Sequence, residues 1–421
     1  MLHESFLWQC KISASSDSKI HLKAVSLHSM KRIKSLLMLL LLVLQAFAQP
    51  SDSLEISLIT CSPGPKVYSL YGHTAIRCQN FTRGADWVFN YGVFSFTQPN
   101  FIWRFVLGKC DYMVEAIPWK YFLTDYEKRG SSVTAQVLNL NQTEAFRIFY
   151  NLIENCRPEN CEYRYNFFYN NCTTKARDMI EYSVEGEVEY TSEHDKKTFR
   201  QILHEYTDVN PWAGEGNDML LGATVDTLLD DRSQMFAPEY MMHYLDGAVV
   251  REGNGNVKPL VKRTDILLVK KEMSVEHPLP ISPFAVGWLF LAFALMIVCI
   301  EYFSHYMLWI WDVILLFLQG CAGSLLVFMF LFSQHPSVDS NWLVCLFNPI
   351  AFLGIPLVVK AAWHRRKTLW HAYNFTILTL FIVFSPWIPQ DFGDIVVPLA
   401  LILLTRPISY YLFYQRMKVK K

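Results

Sequence analysis

Cys172 stands at the head of a stretch, Cys172 to Ser183, with helical periodicity. Ala176, Met179 and Ile180 repeat on one side, while Lys175, Arg177, Asp178 and Glu181 cover the other. Asn171 is a good N-cap residue, which puts Cys172 in the first turn. The unpaired N–H groups and the positive dipole end there favour a thiolate over a thiol. A thiolate attacks acyl carbonyls, so covalent acyl chemistry is one expectation. A buried structural cysteine or half of a disulfide is the other.

A cysteine nucleophile needs a base, and the polar half of the chain offers His73, His194, His204 and His243. His194 and His204 sit among charges and read as solvated surface, and His243 lies in a Met/Tyr stretch that reads as packed. His73 follows a glycine at the start of a strand, between Tyr71 and Thr74, where a second backbone or a ligand can approach closely. It reads as the base or as a hydrogen-bonded strand-end histidine. Asn90, on the strand Asp86 to Tyr91, is the best candidate to orient the imidazole, with a turn-forming Asn before Tyr-Gly as the alternative. Backbone N–H groups at the start of the Cys172 helix are the economical oxyanion donors.

The elements that must position these groups come from two unlike halves. The 421 residues allow two or three domains, are 52% hydrophobic and 15% aromatic, and carry no net charge. No basic patch suggests nucleic acid. The ten cysteines include no Cys-x-x-Cys pair or Cys/His cluster, so no metal or cofactor is expected; Cys156 and Cys161 are close enough for a small disulfide in an oxidising compartment.

Lys31, Arg32 and Lys34, the apolar run Leu36 to Leu44 and Ala46-Phe47-Ala48 read as a secretory signal, with Met30 as the true start. Residues 1–48 are then leader and signal peptide, 49–280 an exported α+β domain, and 281–421 a membrane domain. Strands are expected at 54–58, 86–91, 112–117 and 132–140, and helices at 143–155, 172–183 and 197–206. Met235-Phe236-Ala237-Pro238 marks a break.

Five spans are expected at about 284–303, 309–332, 343–363, 369–388 and 395–414. His364-Arg365-Arg366-Lys367 and the Arg416 to Lys421 tail then fall on the cytoplasmic side, while the loops Ser333 to Asn341 and Pro389 to Asp394 carry no Lys or Arg. That order makes the N-terminal domain periplasmic and the C-terminus cytoplasmic. Ser333 to Pro336, Asn341 and Asn348-Pro349 put polar groups near the outer face, where they read as a lipid-substrate site or as a wet loop capping a Pro-kinked helix.

Tyr71-Gly72-His73-Thr74, Asn90-Tyr91-Gly92, Asn171-Cys172-Thr173-Thr174, Phe236-Ala237-Pro238, and His335-Pro336 with Asn341 and Asn348-Pro349 together resemble the Bacteroidota lipoprotein N-acyltransferase family called Lnb. The order of histidine before cysteine is also similar to circularly permuted papain-like folds related to NlpC. Ala237 stands where that pattern leads one to expect leucine. The resemblance implies Cys172 as acyl-carrying nucleophile, His73 as base, a membrane phospholipid as acyl donor and a lipoprotein N-terminus as acceptor. Asn90 would complete the catalytic set, and Tyr71, Asn171, His335 and Asn341 would contact substrate. A membrane-anchored cysteine hydrolase or amidase on cell-wall or peptide substrates keeps the thiol and changes the acceptor. A membrane scaffold or sensor would need no chemistry at all.

Overall fold

The computed structural model describes residues 53–94, 99–190, 195–271, 279–364 and 366–419. The expected leader, the signal peptide and His194 lie outside these. The strands in chain order are β1 (Leu54–Cys61), β2 (His73–Asn80), β3 (Ala85–Val93), β4 (Asp111–Pro118), β5 (Val133–Leu138), β6 (Glu162–Arg164), β7 (Glu187–Glu189), β8 (Val249–Arg251), β9 (Val257–Pro259) and β10 (Val261–Leu268). Seven form one antiparallel sheet in the order β10-β5-β1-β2-β3-β4-β6, and β7-β8-β9 form a small second sheet.

Strand alternation gives the large sheet two apolar faces. Ile56, Leu58, Ile76, Phe89 and Tyr91 pack under the helices Gln142–Asn155, Cys172–Ser183 and Pro238–Asp246. Ile59, Ala75 and Val88 pack on the other side under Phe122 and Tyr126 of the helix Trp119–Arg129. With helices on both faces, the exported half is α+β as expected. The edge strand β10 and the helix Trp119–Arg129 were not among the expected elements. β10 reaches β5 from more than a hundred residues away, and such non-local pairing leaves no mark in local periodicity.

Among the described residues, four helices are long and apolar enough to cross a bilayer: Pro283–Ser304, Trp309–Phe332, Leu369–Trp387 and Val396–Arg416. The expected span at 343–363 is different. It consists of a 3-10 turn Trp342–Cys345, a corner at Asn348-Pro349 and the helix Ala351–Trp363 of 13 residues. At 1.5 Å per residue that helix is about 20 Å long, short of the roughly 30 Å hydrocarbon layer. The apolar run is continuous in composition, but proline at 349 cannot donate into a helix that begins earlier.

The exported half sits on the loops that join these helices at one end. Gln334 N donates to Leu107 O at 2.9 Å, and Gly222 N donates to Ser337 O at 2.7 Å. Arg200 is buried and donates to Asp218 and Asp226, each at 2.7 Å, which fixes the corner carrying Gly222. Where the helices Pro283–Ser304 and Trp309–Phe332 meet, Arg406 bonds Glu301 and Asp312 together, and Ser409 bonds Glu301; all four are buried.

Candidate active site

The Cys172 helix starts and ends where its sequence says, at Cys172 and Ser183. Asn171 Oδ1 accepts from the N–H groups of Thr173 at 2.9 Å and Thr174 at 2.8 Å, and Thr174 Oγ1 accepts in return from Asn171 N. This reciprocal cap fixes the first turn. Asn171 Nδ2 donates to Phe167 O at 2.8 Å and to Phe236 O at 2.9 Å. The break at Phe236-Ala237-Pro238 therefore has a structural role, since the Phe236 carbonyl anchors the cap of the cysteine helix. Every polar atom of the Asn171 side chain is engaged, so the side chain positions Cys172 and has no group free for a substrate.

His73 is the first residue of β2 and Asn90 lies on β3, its diagonal neighbour across the pair. His73 Nε2 donates to Asn90 Oδ1 at 2.5 Å. The imidazole also acts electrostatically on the Cys172 thiol, and with Nε2 occupied Nδ1 is the nitrogen left for sulfur. His73 stacks over Tyr126 at a ring separation of 6.3 Å. Gly72 precedes it at φ 72°, where a Cβ would meet Cys61 O at 2.6 Å, so the close backbone approach expected there is present.

Burial by itself would push the Cys172 thiol up; the imidazole charge, the His73 hydrogen bond, the Thr74 N–H and the Thr173 hydroxyl outweigh it and bring the thiol down to about 7. Burial would lower His73, but the adjacent sulfur and Asn90 together hold it above its ordinary value. Each group thus stabilises the charged form of the other.

Gly92 forms a β-bulge opposite β4, with φ 87°, and a Cβ there would lie 3.7 Å from Cys172 Cβ and 3.9 Å from Tyr163 Oη. The absent side chain leaves a methyl-sized space against Cys172. With Thr173 N and Thr174 N taken by the cap, the Cys172 N–H is the first-turn amide left for an oxyanion. Tyr163 Oη is buried on the same Gly92 face, with no acceptor for its proton among the described residues. Sequence reasoning missed Tyr163, whose only signal was membership of the aromatic run before Asn171.

The other expected contact residues each have protein partners. Tyr71 packs edge-on to Phe167 at 4.9 Å, and its Oη accepts from Asn217 at 2.7 Å. His335 Nε2 donates to Phe105 O at 2.5 Å, with burial holding the ring below its usual value and hence neutral. Asn341 Nδ2 donates to Met219 O at 2.9 Å, and its Oδ1 accepts from Leu343 N and Gln390 Nε2. These last two residues fasten the exported half to the membrane loops. His204, expected as solvated surface, bonds Asp218 at 2.9 Å, and His243, expected as packed, is exposed. Cys156 and Cys161 are free thiols.

The fold and site define a class: a sheet domain presenting a thiol-imidazole pair, seated on the end of a helical membrane domain. A family model described as the Lnb N-terminal periplasmic domain matches residues 47–210, and one described as the Lnb transmembrane domain matches residues 274–418. The chain belongs to the Lnb family. No curated protein and no solved structure matches it.

Proposed function

We propose that the chain is a membrane thiol acyltransferase that moves a fatty acyl chain from a phospholipid, through a thioester on Cys172, to the N-terminal amine of a diacylglyceryl lipoprotein. The observation that carries this reading is the pair Cys172–His73, each favouring the charged form of the other and the imidazole held by Asn90, in a domain fastened to the end of the membrane helices.

The Cys172 thiolate attacks the ester carbonyl and forms the carbon–sulfur bond. The Cys172 N–H and Tyr163 Oη–H face the developing oxyanion. The tetrahedral intermediate collapses, the ester C–O bond breaks, and His73 gives its proton to the departing lysophospholipid alkoxide. His73, now neutral, takes a proton from the acceptor amine as that amine attacks the thioester. An amide forms and the sulfur leaves as thiolate. Catalytic roles thus fall to Cys172, His73 and Tyr163, with Asn90 and Asn171 as positioning residues; His335 and Asn341 hold the two domains together.

In topology, the outward loops are those against the exported half, and the C-terminus is cytoplasmic. The irregular segment 342–350 and the helix Ala351–Trp363 together make the fifth crossing. Placement favours lipid over cell-wall substrate, because both proposed reactants are embedded in the bilayer and tethering raises their effective concentration.

The test is complementation of an acyltransferase-deficient strain with wild type, Cys172→Ala and His73→Ala, reading lipoprotein N-termini by mass spectrometry. Triacylated lipoproteins with wild type alone support the proposal. Lipoproteins that stay diacylated with wild type end it.

A further inference from the structure

A line of aromatic rings runs from the Gly92 face against Cys172 to the short helix Phe101–Val106. Tyr165 touches the same Gly92 face as Cys172, with its ring 3.9 Å from where a Cβ would be. Tyr165 stacks on Tyr112 at 4.3 Å, Tyr112 on Phe94 at 4.8 Å, Phe94 on Phe101 at 6.2 Å, and Phe101 on Phe105 at 6.4 Å. Phe101 and Phe105 belong to the short helix Phe101–Val106, whose Trp103 packs against Phe328 of the membrane helix Trp309–Phe332 at 5.1 Å.

Phe328 lies four residues, roughly 6 Å, inside the end of that helix. Trp103 therefore sits level with the last apolar turn of a membrane span. Its neighbours point outward and apolar: Ile102 is 77% exposed, Trp103 56% and Phe105 48%. A soluble surface would not carry three such side chains together; a surface immersed at the edge of a bilayer would. Beside them Arg104 and Arg164 both bond the carboxylate of Asp111, at 2.6 and 2.7 Å, so two positive charges share one negative charge, and Arg164 also donates to Gln334, just past the end of that membrane helix.

We infer that the helix Phe101–Val106 is immersed in the outer leaflet and that the Phe105–Phe101–Phe94–Tyr112–Tyr165 ladder guides one acyl chain of a phospholipid from the bilayer to Cys172, with Arg104 and Arg164 meeting its phosphate. This rests on the acyltransferase reading and adds to it the path by which the donor enters. Stacked rings give an acyl chain an apolar wall to lie along. The track ends at Gly92, which lies against Cys172.

Two experiments test it. The full-length Cys172→Ala protein is placed in phosphatidylethanolamine vesicles containing a phospholipid with a diazirine in one acyl chain, irradiated and digested. Crosslinks on peptides carrying Tyr112 and Phe101 to Phe105 are expected; crosslinks confined to the membrane helices overturn the track. In the second, Phe101→Ser and Tyr112→Ser are compared with wild type for acylation of Cys172 by a long-chain phospholipid and by a short-chain water-soluble ester. The long-chain rate is expected to fall at least about tenfold further than the short-chain rate. Equal losses on both donors overturn the track. Should wild-type Cys172 accept acyl groups from neither donor, the acyltransferase reading fails, while the crosslink map still decides whether lipid occupies the ladder.

Discussion

Asn90 Oδ1 lies 2.5 Å from His73 Nε2, and that contact settles which imidazole nitrogen is free to meet Cys172. Asn90 comes from β3 and His73 from the first position of β2, so adjacent strands of one rigid sheet set the direction of the ring. The cysteine arrives separately, on a helix whose cap is tied to Phe236. Removing the Asn90 amide should leave the thiol and the fold in place. Asn90→Ala is expected to lower the acylation rate of Cys172 about ten- to a hundredfold, the equivalent of one lost buried hydrogen bond. His73→Ala should cost about a hundred- to ten-thousandfold. Single-turnover acylation of purified protein gives both numbers. An Asn90→Ala enzyme as fast as wild type would remove Asn90 from the machinery.

The thiol at about 7 has a pH signature. Below 7 the sulfur carries its proton and is unreactive; alkylation by iodoacetamide should rise with pH and reach half its maximum near 7. In His73→Ala the charge and the hydrogen bond that lower the thiol are gone and burial remains. The midpoint should then move up by about one unit or more. Acyl transfer also needs the imidazolium, so its rate should fall again as pH rises through the His73 value, giving a bell. Mass-spectrometric alkylation rates from pH 5 to 10 measure the first limb. A midpoint above 8.5 in wild type would mean that His73 does not activate the sulfur.

Asn171 separates capping from anchoring. Asn171→Asp keeps both acceptor bonds to Thr173 and Thr174 but loses the two donations to Phe167 and Phe236, and it puts a negative charge beside the thiol. The expected result is a folded protein with slowed acylation and a raised alkylation midpoint. Asn171→Ala loses the cap as well and should cost about 1–2 kcal/mol of stability. Thermal unfolding paired with the alkylation titration distinguishes the two variants.

In the membrane half, Arg406 holds two buried carboxylates, Glu301 and Asp312. Arg406→Met strands them, and a loss of about 3–5 kcal/mol is expected. Replacing all three with apolar residues of similar volume should restore most of it. Unfolding in detergent followed by tryptophan fluorescence checks both variants. An undiminished Arg406→Met protein would show that the cluster holds nothing together.

How far these features could be read in the sequence depends on whether the determinant was local. The Cys172 helix was legible to the residue, because Asn171, Thr174 and the apolar spacing are neighbours in the chain. Trp309–Phe332 was equally legible from its uninterrupted apolar run. The stretch 343–363 was not, since hydropathy averages over the corner at Asn348-Pro349. At the site, His73 and Asn90 could be singled out by type and strand position. Tyr163 and the bulge at Gly92 acquire meaning only once β3, β4 and the helix come together. His335 and Asn341 were visible as costly polar groups near the bilayer, but not what they bond: backbone carbonyls of the domain above.

The most direct measurement is the intact mass of the full-length protein after incubation with phospholipid vesicles and no acceptor. A mass increase of one fatty acyl group, lost on treatment with neutral hydroxylamine, mapped to the peptide of Cys172 and absent from Cys172→Ala, is the predicted result. An unmodified Cys172 under those conditions, in a preparation that nonetheless restores triacylated lipoproteins in cells, would contradict the thioester on which the account depends.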